Sequence, residues 1–234
     1  MGYDISWHPI TVEQINKWYF DVLENSNLAN KLKVRIPNDQ LKYESQREEF
    51  EKFYLEKYKK VIESAKTMEG SFNQTHAYNI ALVQGFFEEF FYTRGSAISF
   101  IMDDNFIDKY TTSWQKISPK KYLINFEQDS LDGNYSGGVY LSALQVKKLL
   151  QDYREDENIK AILNQEFSHG RIDIFLQALN FAQKRNLGLL EATEVVEPYP
   201  DINMGDPICY CNLFNCHPRG INLFQMTVAE QLNT

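Results

Sequence analysis

The sequence is short of cysteine and of long apolar stretches, and each shortage excludes a class of protein. Its three cysteines, Cys209, Cys211 and Cys216, lie close together near the end of a 234-residue chain. An odd number of clustered thiols is a poor framework for a disulfide-stapled secreted fold. No apolar run approaches the ~20 residues of a membrane-spanning helix, and the amino terminus lacks a signal-peptide pattern. We therefore expect a cytoplasmic chain that is neither secreted nor inserted in a membrane.

Basic residues are outnumbered by acidic ones. The chain has 24 Lys and Arg residues against 32 Asp and Glu residues, a formal net charge of −8 and a pI near 5.1. Such a chain lacks the positive field that usually supplies affinity for phosphate backbones. The composition therefore argues against nucleic acid as a partner and favours a basic protein.

Aromatic residues, by contrast, are abundant. Phe, Tyr and Trp make up 14% of the sequence, and all hydrophobic residues together make up 43%. This much apolar surface requires a substantial core, and no low-complexity linker or internal repeat divides the chain. We expect residues 1–234 to form one compact α+β domain, with a small sheet covered by several helices and more helix than strand.

Four short apolar segments are predicted to form the sheet, and they lie near residues 3–8, 97–102, 121–126 and 188–196. In an all-helical alternative, the segments AISFIM and LLEATEVV are helices instead. Periodicity cannot separate the two in runs this short, whereas circular dichroism would.

Two capping boxes mark helix starts, one formed by Thr11 with Gln14 and the other by Ser142 with Gln145. The most apolar helix is predicted from Asn73 to Tyr92, with Phe87 on its apolar arc. Further helices are predicted near residues 39–68, 157–167, 172–185 and 221–232.

Two His-Pro pairs near opposite ends of the chain are candidates for chemistry. His8 and His217 would share one cleft if the chain ends meet, and Cys216 precedes His217. The carboxylates available to the same cleft are Asp4, Asp201 and Asp206. Two histidines with carboxylates can divide general acid and base roles or bind a divalent metal. The interpretation we favour is that each His-Pro pair forms a turn whose imidazole bonds to nearby backbone.

The cysteine cluster has the residue types of a zinc site but not its spacing. Structural zinc sites use two separated pairs of ligands, whereas Cys216 and His217 are adjacent. Small buried thiols explain the cluster better. We therefore predict no metal and no cofactor.

Part of the chain resembles a group of known proteins. The segments SGGVYLSALQVKKLL, ALNFAQKRN and GLLEATEVVEP are similar to the carboxyl half of small uncharacterised bacterial proteins, some of them suspected of toxin immunity. The resemblance covers residues 136–198 and implies a binding protein. It carries no catalytic residues over to this sequence.

Two hypotheses for function follow. The first is a cytoplasmic binding or interaction protein, immunity-like, with an acidic face for a basic partner. The alternative is a small hydrolase in which His8, His217 and Cys216 share one site, with a divalent metal as a possible aid. An enzyme should bring these residues together in a concave pocket, whereas a binding protein should present a broad acidic surface.

Overall fold

A four-stranded antiparallel sheet with helices on both faces forms the centre of the protein. The computed structural model describes residues 4–36, 43–66, 74–120, 138–193, 195 and 215–232. Its strands are β1 (Asp4–Ile10), β2 (Phe91–Arg94), β3 (Tyr140–Leu141) and β4 (Gly188–Thr193), arranged in the order β2-β1-β4-β3. Helix exceeds strand in the described residues, so the predicted α+β class is confirmed.

Residues of β1 alternate between the two faces of the sheet, as a strand requires. On the first face, Ile10 packs with the helices that precede β2. On the second face, Ile5 and Trp7 pack with the helices that follow it. Both faces are covered, and every residue of β1 and β4 is buried. The polar side chains of β1, those of Asp4, Ser6 and His8, are therefore buried together with its apolar ones.

Helices that precede β2 cover the first face. They are α1 (Val12–Ile15), α2 (Asp21–Glu24), α3 (Arg47–Lys66) and α4 (Gln74–Phe87), with a π-helical turn at Asn16–Phe20. Later helices, α5 (Asp104–Tyr110), α6 (Ala143–Glu155), α7 (Glu157–Glu166) and α8 (Arg171–Lys184), cover the second face. The last helix, α9 (Pro218–Leu232), packs against β2. No helix in these ranges is both long and apolar enough to cross a bilayer.

The predicted capping boxes are confirmed. Thr11 accepts from the backbone of Gln14, and the Gln14 side chain accepts from the backbone of Thr11. Ser142 and Gln145 form the same reciprocal pair at the start of α6. Each pair satisfies two amide groups that a helix start leaves without helical partners.

The predicted helix from Asn73 to Tyr92 is too long, because its last part is a strand. The helix ends at Phe87, and Phe91–Arg94 pairs with β1. Phe, Tyr and Thr favour strands as well as continuing an apolar helical pattern, so local sequence does not locate the change. Pairing with β1 decides it.

The strand predicted near residues 97–102 is also wrong. Ile98–Phe100 is a single 3-10 turn, and the amides of Ala97, Ile98 and Ser99 donate to carboxylates. Amides used in this way cannot form a strand ladder. The predicted strand near 121–126 lies outside the described residues, whereas the strand predicted near 188–196 is confirmed over Gly188–Thr193 as β4.

Candidate functional site

His8, the first of the predicted catalytic residues, lies inside the protein between two polar partners. Its side chain is on the first face of the sheet, and the residue is 1% exposed. His8 Nδ1 lies 2.8 Å from Gln84 Oε1, and His8 Nε2 lies 2.8 Å from Ser6 Oγ. The three side chains form one buried hydrogen-bonded chain that joins β1 to α4.

Gln84 fixes the protonation pattern of this chain. Its Nε2 donates to the carbonyl of Pro9 at 3.1 Å and to that of Glu89 at 3.0 Å. Gln84 Oε1 must therefore be the atom that faces His8, and it accepts from Nδ1–H. His8 Nε2 is then an acceptor for the Ser6 hydroxyl.

Gln84 occupies this position because β1 and β2 separate there. Their pairing extends from Asp4 opposite Arg94 to Trp7 opposite Phe91 and stops before Pro9. Pro9 has no N–H and on this side presents only its carbonyl, which β2 does not reach. The Gln84 amide replaces the missing ladder bond, which allows proline within a central strand.

The order hydroxyl, imidazole and orienting amide is that of a nucleophile, a base and a positioning group. Burial lowers the pKa of His8 to about 4, although the bond to Gln84 opposes the shift. The imidazole is therefore neutral near pH 7, as a base must be. Ser6, however, is 0% exposed, and the Phe90 ring stacks on His8 at 5.1 Å between ring centroids. The arrangement ties β1 to α4 and leaves no approach for a substrate.

The second predicted catalytic residue, His217, lies on the other side of β2. Its ring stacks on Phe91 at 5.0 Å, whereas His8 stacks on the preceding residue, Phe90. Consecutive residues of an extended chain point to opposite faces, so the two imidazoles are separated by the sheet. Cys216, the third, is 4% exposed and forms a parallel β-bridge with Phe90. The structure thus brings both chain ends to β2 but does not bring the three residues into one pocket.

The predicted carboxylates are also dispersed. Asp4 is 4% exposed and accepts a hydrogen bond from the Tyr92 hydroxyl. Asp201 and Asp206 lie outside the described residues, as do Cys209 and Cys211. Within the part of the chain that the structure describes, no group of three or more His, Cys, Asp or Glu side chains could hold a metal ion.

Sequence reasoning missed Glu191, the most deeply buried carboxylate in the part of the chain that the structure describes. It lies on β4 opposite Trp7 and is 0% exposed. Its Oε2 accepts from the amides of Ile98 at 2.7 Å and Ser99 at 3.2 Å, and its Oε1 accepts from the Ser99 hydroxyl at 2.5 Å. These bonds hold the 3-10 turn against the sheet.

Burial raises the pKa of Glu191 to about 7, although its three donors oppose the shift. The nearby carboxylate of Glu166 raises it further. Glu166 accepts from the amide of Ala97 at 3.1 Å, so two carboxylates bind three consecutive amides of one turn. Glu191 consequently keeps its proton to a higher pH than an exposed glutamate does.

A sequence signal for Glu191 does exist. It is the only charged residue in the run GLLEAT, a run typical of a strand buried on both faces. A charge in such a strand must have partners. The sequence does not reveal those partners, nor that Gly138 lies over the carboxylate, where an added Cβ would be 2.6 Å from Glu191 Oε1.

Comparison with known proteins adds no family to these observations. No family model, curated protein or solved structure matches this chain.

Proposed function

We propose that this chain is a cytoplasmic binding protein of the immunity type, whose acid-rich segments contact a basic protein partner. The observation that carries the proposal is the distribution of charge along the chain. Acidic and basic side chains are almost equal in number among the described residues, although the whole chain has a net charge of −8. Most of the negative surplus therefore belongs to the remaining segments.

Segments 121–137 and 194–214 carry most of this surplus. Lys121 is their only basic residue, and their acidic residues are Glu127, Asp129, Asp132, Glu194, Glu197, Asp201 and Asp206. Concentrated charge of one sign accelerates association with an oppositely charged protein and disfavours like-charged competitors. Asp201 and Asp206 keep their predicted binding role in this proposal. Asp4 does not, because it is buried.

The described residues that border these segments lie close together. The amide of Gly138 donates to the carbonyl of Glu191 at 3.0 Å, and Thr193 follows two residues later. Gly138 and Thr193, the described residues next to the two segments, therefore lie at the same end of the sheet.

A matched pair of charge variants tests the proposal. The first variant carries Glu194→Gln, Glu197→Gln, Asp201→Asn and Asp206→Asn. The control removes the same charge from exposed positions of α3 through Glu48→Gln, Glu49→Gln, Glu56→Gln and Glu63→Gln. Proteins retained by the wild-type chain from a lysate of the cells that encode it are identified, purified and titrated at low and high salt.

We expect a basic partner whose affinity falls at least ~10-fold in the first variant and changes little in the control. High salt should weaken the wild-type complex more than the complex of the first variant. An acidic partner, or an equal loss of affinity in both variants, would refute the proposal.

A further inference from the structure

The edge strand β2 is covered by the carboxyl-terminal part of the same chain. An uncovered edge strand presents backbone groups that can pair with another molecule. Here Asn215 and His217 lie beside Phe90: the Phe90 amide donates to the Asn215 carbonyl at 3.0 Å, and the His217 amide donates to the Phe90 carbonyl at 2.8 Å. These residues therefore act as one rung of a parallel strand added to the outside of the sheet.

The start of α9 continues this cover along the edge. The amide and carbonyl of Phe90 point outward, and backbone groups alternate along a strand, so those of Tyr92 and Arg94 point outward too. Gly220 lies against Tyr92, and an added Cβ would be 2.9 Å from both Tyr92 N and Cys216 Sγ. Only glycine allows the helix to approach the edge this closely.

A small apolar cluster holds the cover in place, and the half-buried Leu223 of α9 joins it to the large cluster on the second face. Phe224 of α9 packs edge-on against Tyr92 at 5.8 Å between ring centroids, and Phe90 and Cys216 complete the cluster. The Asn215 side chain adds hydrogen bonds to the carbonyls of Gly85 at 2.9 Å and Arg35 at 3.1 Å. The hydrogen bonds of this unit lie outside the ladders that join β1 to β2 and to β4, so the unit can open without unfolding the sheet.

We propose that residues 215–232 guard the β2 edge, and that their displacement lets β2 pair with the β2 strand of a second copy of this chain. The alternation of the strand supports a second copy as the occupant. A two-fold axis at Tyr92 would place Tyr92 opposite its own copy and Phe90 opposite Arg94. The outward amides and carbonyls of Phe90, Tyr92 and Arg94 in one copy would then face those of Arg94, Tyr92 and Phe90 in the other. This is the hydrogen-bonding pattern of an antiparallel ladder. This inference does not depend on the proposed binding role.

The experiment displaces the guard through Gly220→Val in the full-length chain. Asn222→Val is the control, because residue 222 is an exposed position of the same helix. Two further variants combine Gly220→Val with Arg94→Pro or with Arg94→Ala. Proline removes the outward amide of residue 94, whereas alanine removes the same side chain and keeps the amide.

Mass is measured by light scattering after size-exclusion chromatography, over a range of protein concentrations. We expect at least a tenfold higher dimer fraction for Gly220→Val than for the wild type and the control. The dimer should persist with Arg94→Ala and disappear with Arg94→Pro. A monomeric Gly220→Val protein with an intact circular dichroism spectrum would overturn the proposal, and so would a dimer that survives Arg94→Pro.

Should Gly220→Val fail to fold, Phe224→Ser releases the guard from the cluster without crowding the strand. Phe224→Ser is then combined with Arg94→Pro or Arg94→Ala, and the dimer should again disappear with proline and persist with alanine. Hydrogen exchange on the wild type gives a second readout, because the amides of Phe90 and His217 should exchange together and before those shared by β1 and β4. Simultaneous exchange of all of them would mean that no separate guard exists.

Discussion

Glu191 and His8 are expected to give the stability of this protein opposite dependences on pH. Both residues are buried. Burial raises the pKa of Glu191 from 4.5 to about 7 and lowers that of His8 from 6.5 to about 4. At 1.36 kcal/mol for a tenfold change in proton affinity, each shift corresponds to about 3 kcal/mol in the free energy of unfolding.

The two contributions have opposite signs. The pKa of Glu191 is higher in the folded state, so its stabilising contribution is complete below pH 4.5 and is lost as the pH rises through about 7. The pKa of His8 is lower in the folded state, so its contribution is complete above pH 6.5 and is lost as the pH falls through about 4. Between pH 4.5 and pH 6.5 these two residues change the free energy of unfolding with pH in opposite directions, so in the wild type their two pH dependences cancel.

Single variants should reveal each slope. Glu191→Gln keeps an oxygen acceptor for the turn amides and does not titrate. Its free energy of unfolding should increase relative to the wild type by about 3 kcal/mol from pH 4.5 to about pH 8. His8→Asn keeps a donor toward Gln84, and should gain a similar amount relative to the wild type as the pH falls from 6.5 to about 4.

Urea unfolding at a series of pH values, followed by circular dichroism, measures these differences. Subtracting the wild-type curve removes the contributions of shifted groups that do not interact with the mutated residue; Glu166, which interacts with Glu191, contributes to the Glu191→Gln difference curve. Burial also raises the pKa of Glu166 and lowers those of His76 and His217. A flat difference curve for Glu191→Gln between pH 5 and about pH 8 would show that the carboxylate does not titrate in the interior, and the reasoning would fail.

Three further predictions rest on other contacts. Phe87→Ala should destabilise the protein by about 3 to 5 kcal/mol in urea unfolding, because the Phe87 ring is buried and stacks on Trp18 at 4.9 Å between ring centroids. Phe53→Ala is the control, and at this exposed position it should lower the free energy of unfolding by less than about 1 kcal/mol. Gln84→Met keeps the side-chain volume but removes the hydrogen-bond partner of His8 and of the carbonyls of Pro9 and Glu89. The free energy of unfolding should fall by at least about 2 kcal/mol, and a smaller loss would contradict the bridging role of Gln84. Elemental analysis of the purified protein should find no stoichiometric zinc; one zinc per chain that disappears on mutating Cys209, Cys211 or Cys216 would disprove this.

The placement of the candidate site illustrates what local sequence leaves open. The two His-Pro pairs are visible in the sequence, and the structure does bring both chain ends to β2. Phe90 and Phe91, however, present their rings to opposite faces, so His8 and His217 stack on different sides of the sheet. Which side each ring occupies depends on strand register, and register follows from contacts between residues far apart in the chain.

The sequence by itself determined the features that depend on near neighbours. The capping boxes at Thr11 and Ser142 begin helices where predicted, and the apolar run at Gly188 forms a strand. Such features arise within a few residues, because caps and apolar periodicity act locally. The α+β class follows from their sum.

Only the tertiary structure decided where helical and strand patterns compete and what each buried polar group contacts. Pairing with β1 converts residues 91–94 from a helical pattern into a strand, and two distant carboxylates turn residues 98–100 into a 3-10 turn. The partners of His8 and Glu191 lie up to 93 residues away in the chain. A buried polar group needs a hydrogen-bond partner, but which residue becomes that partner depends on how the whole chain folds.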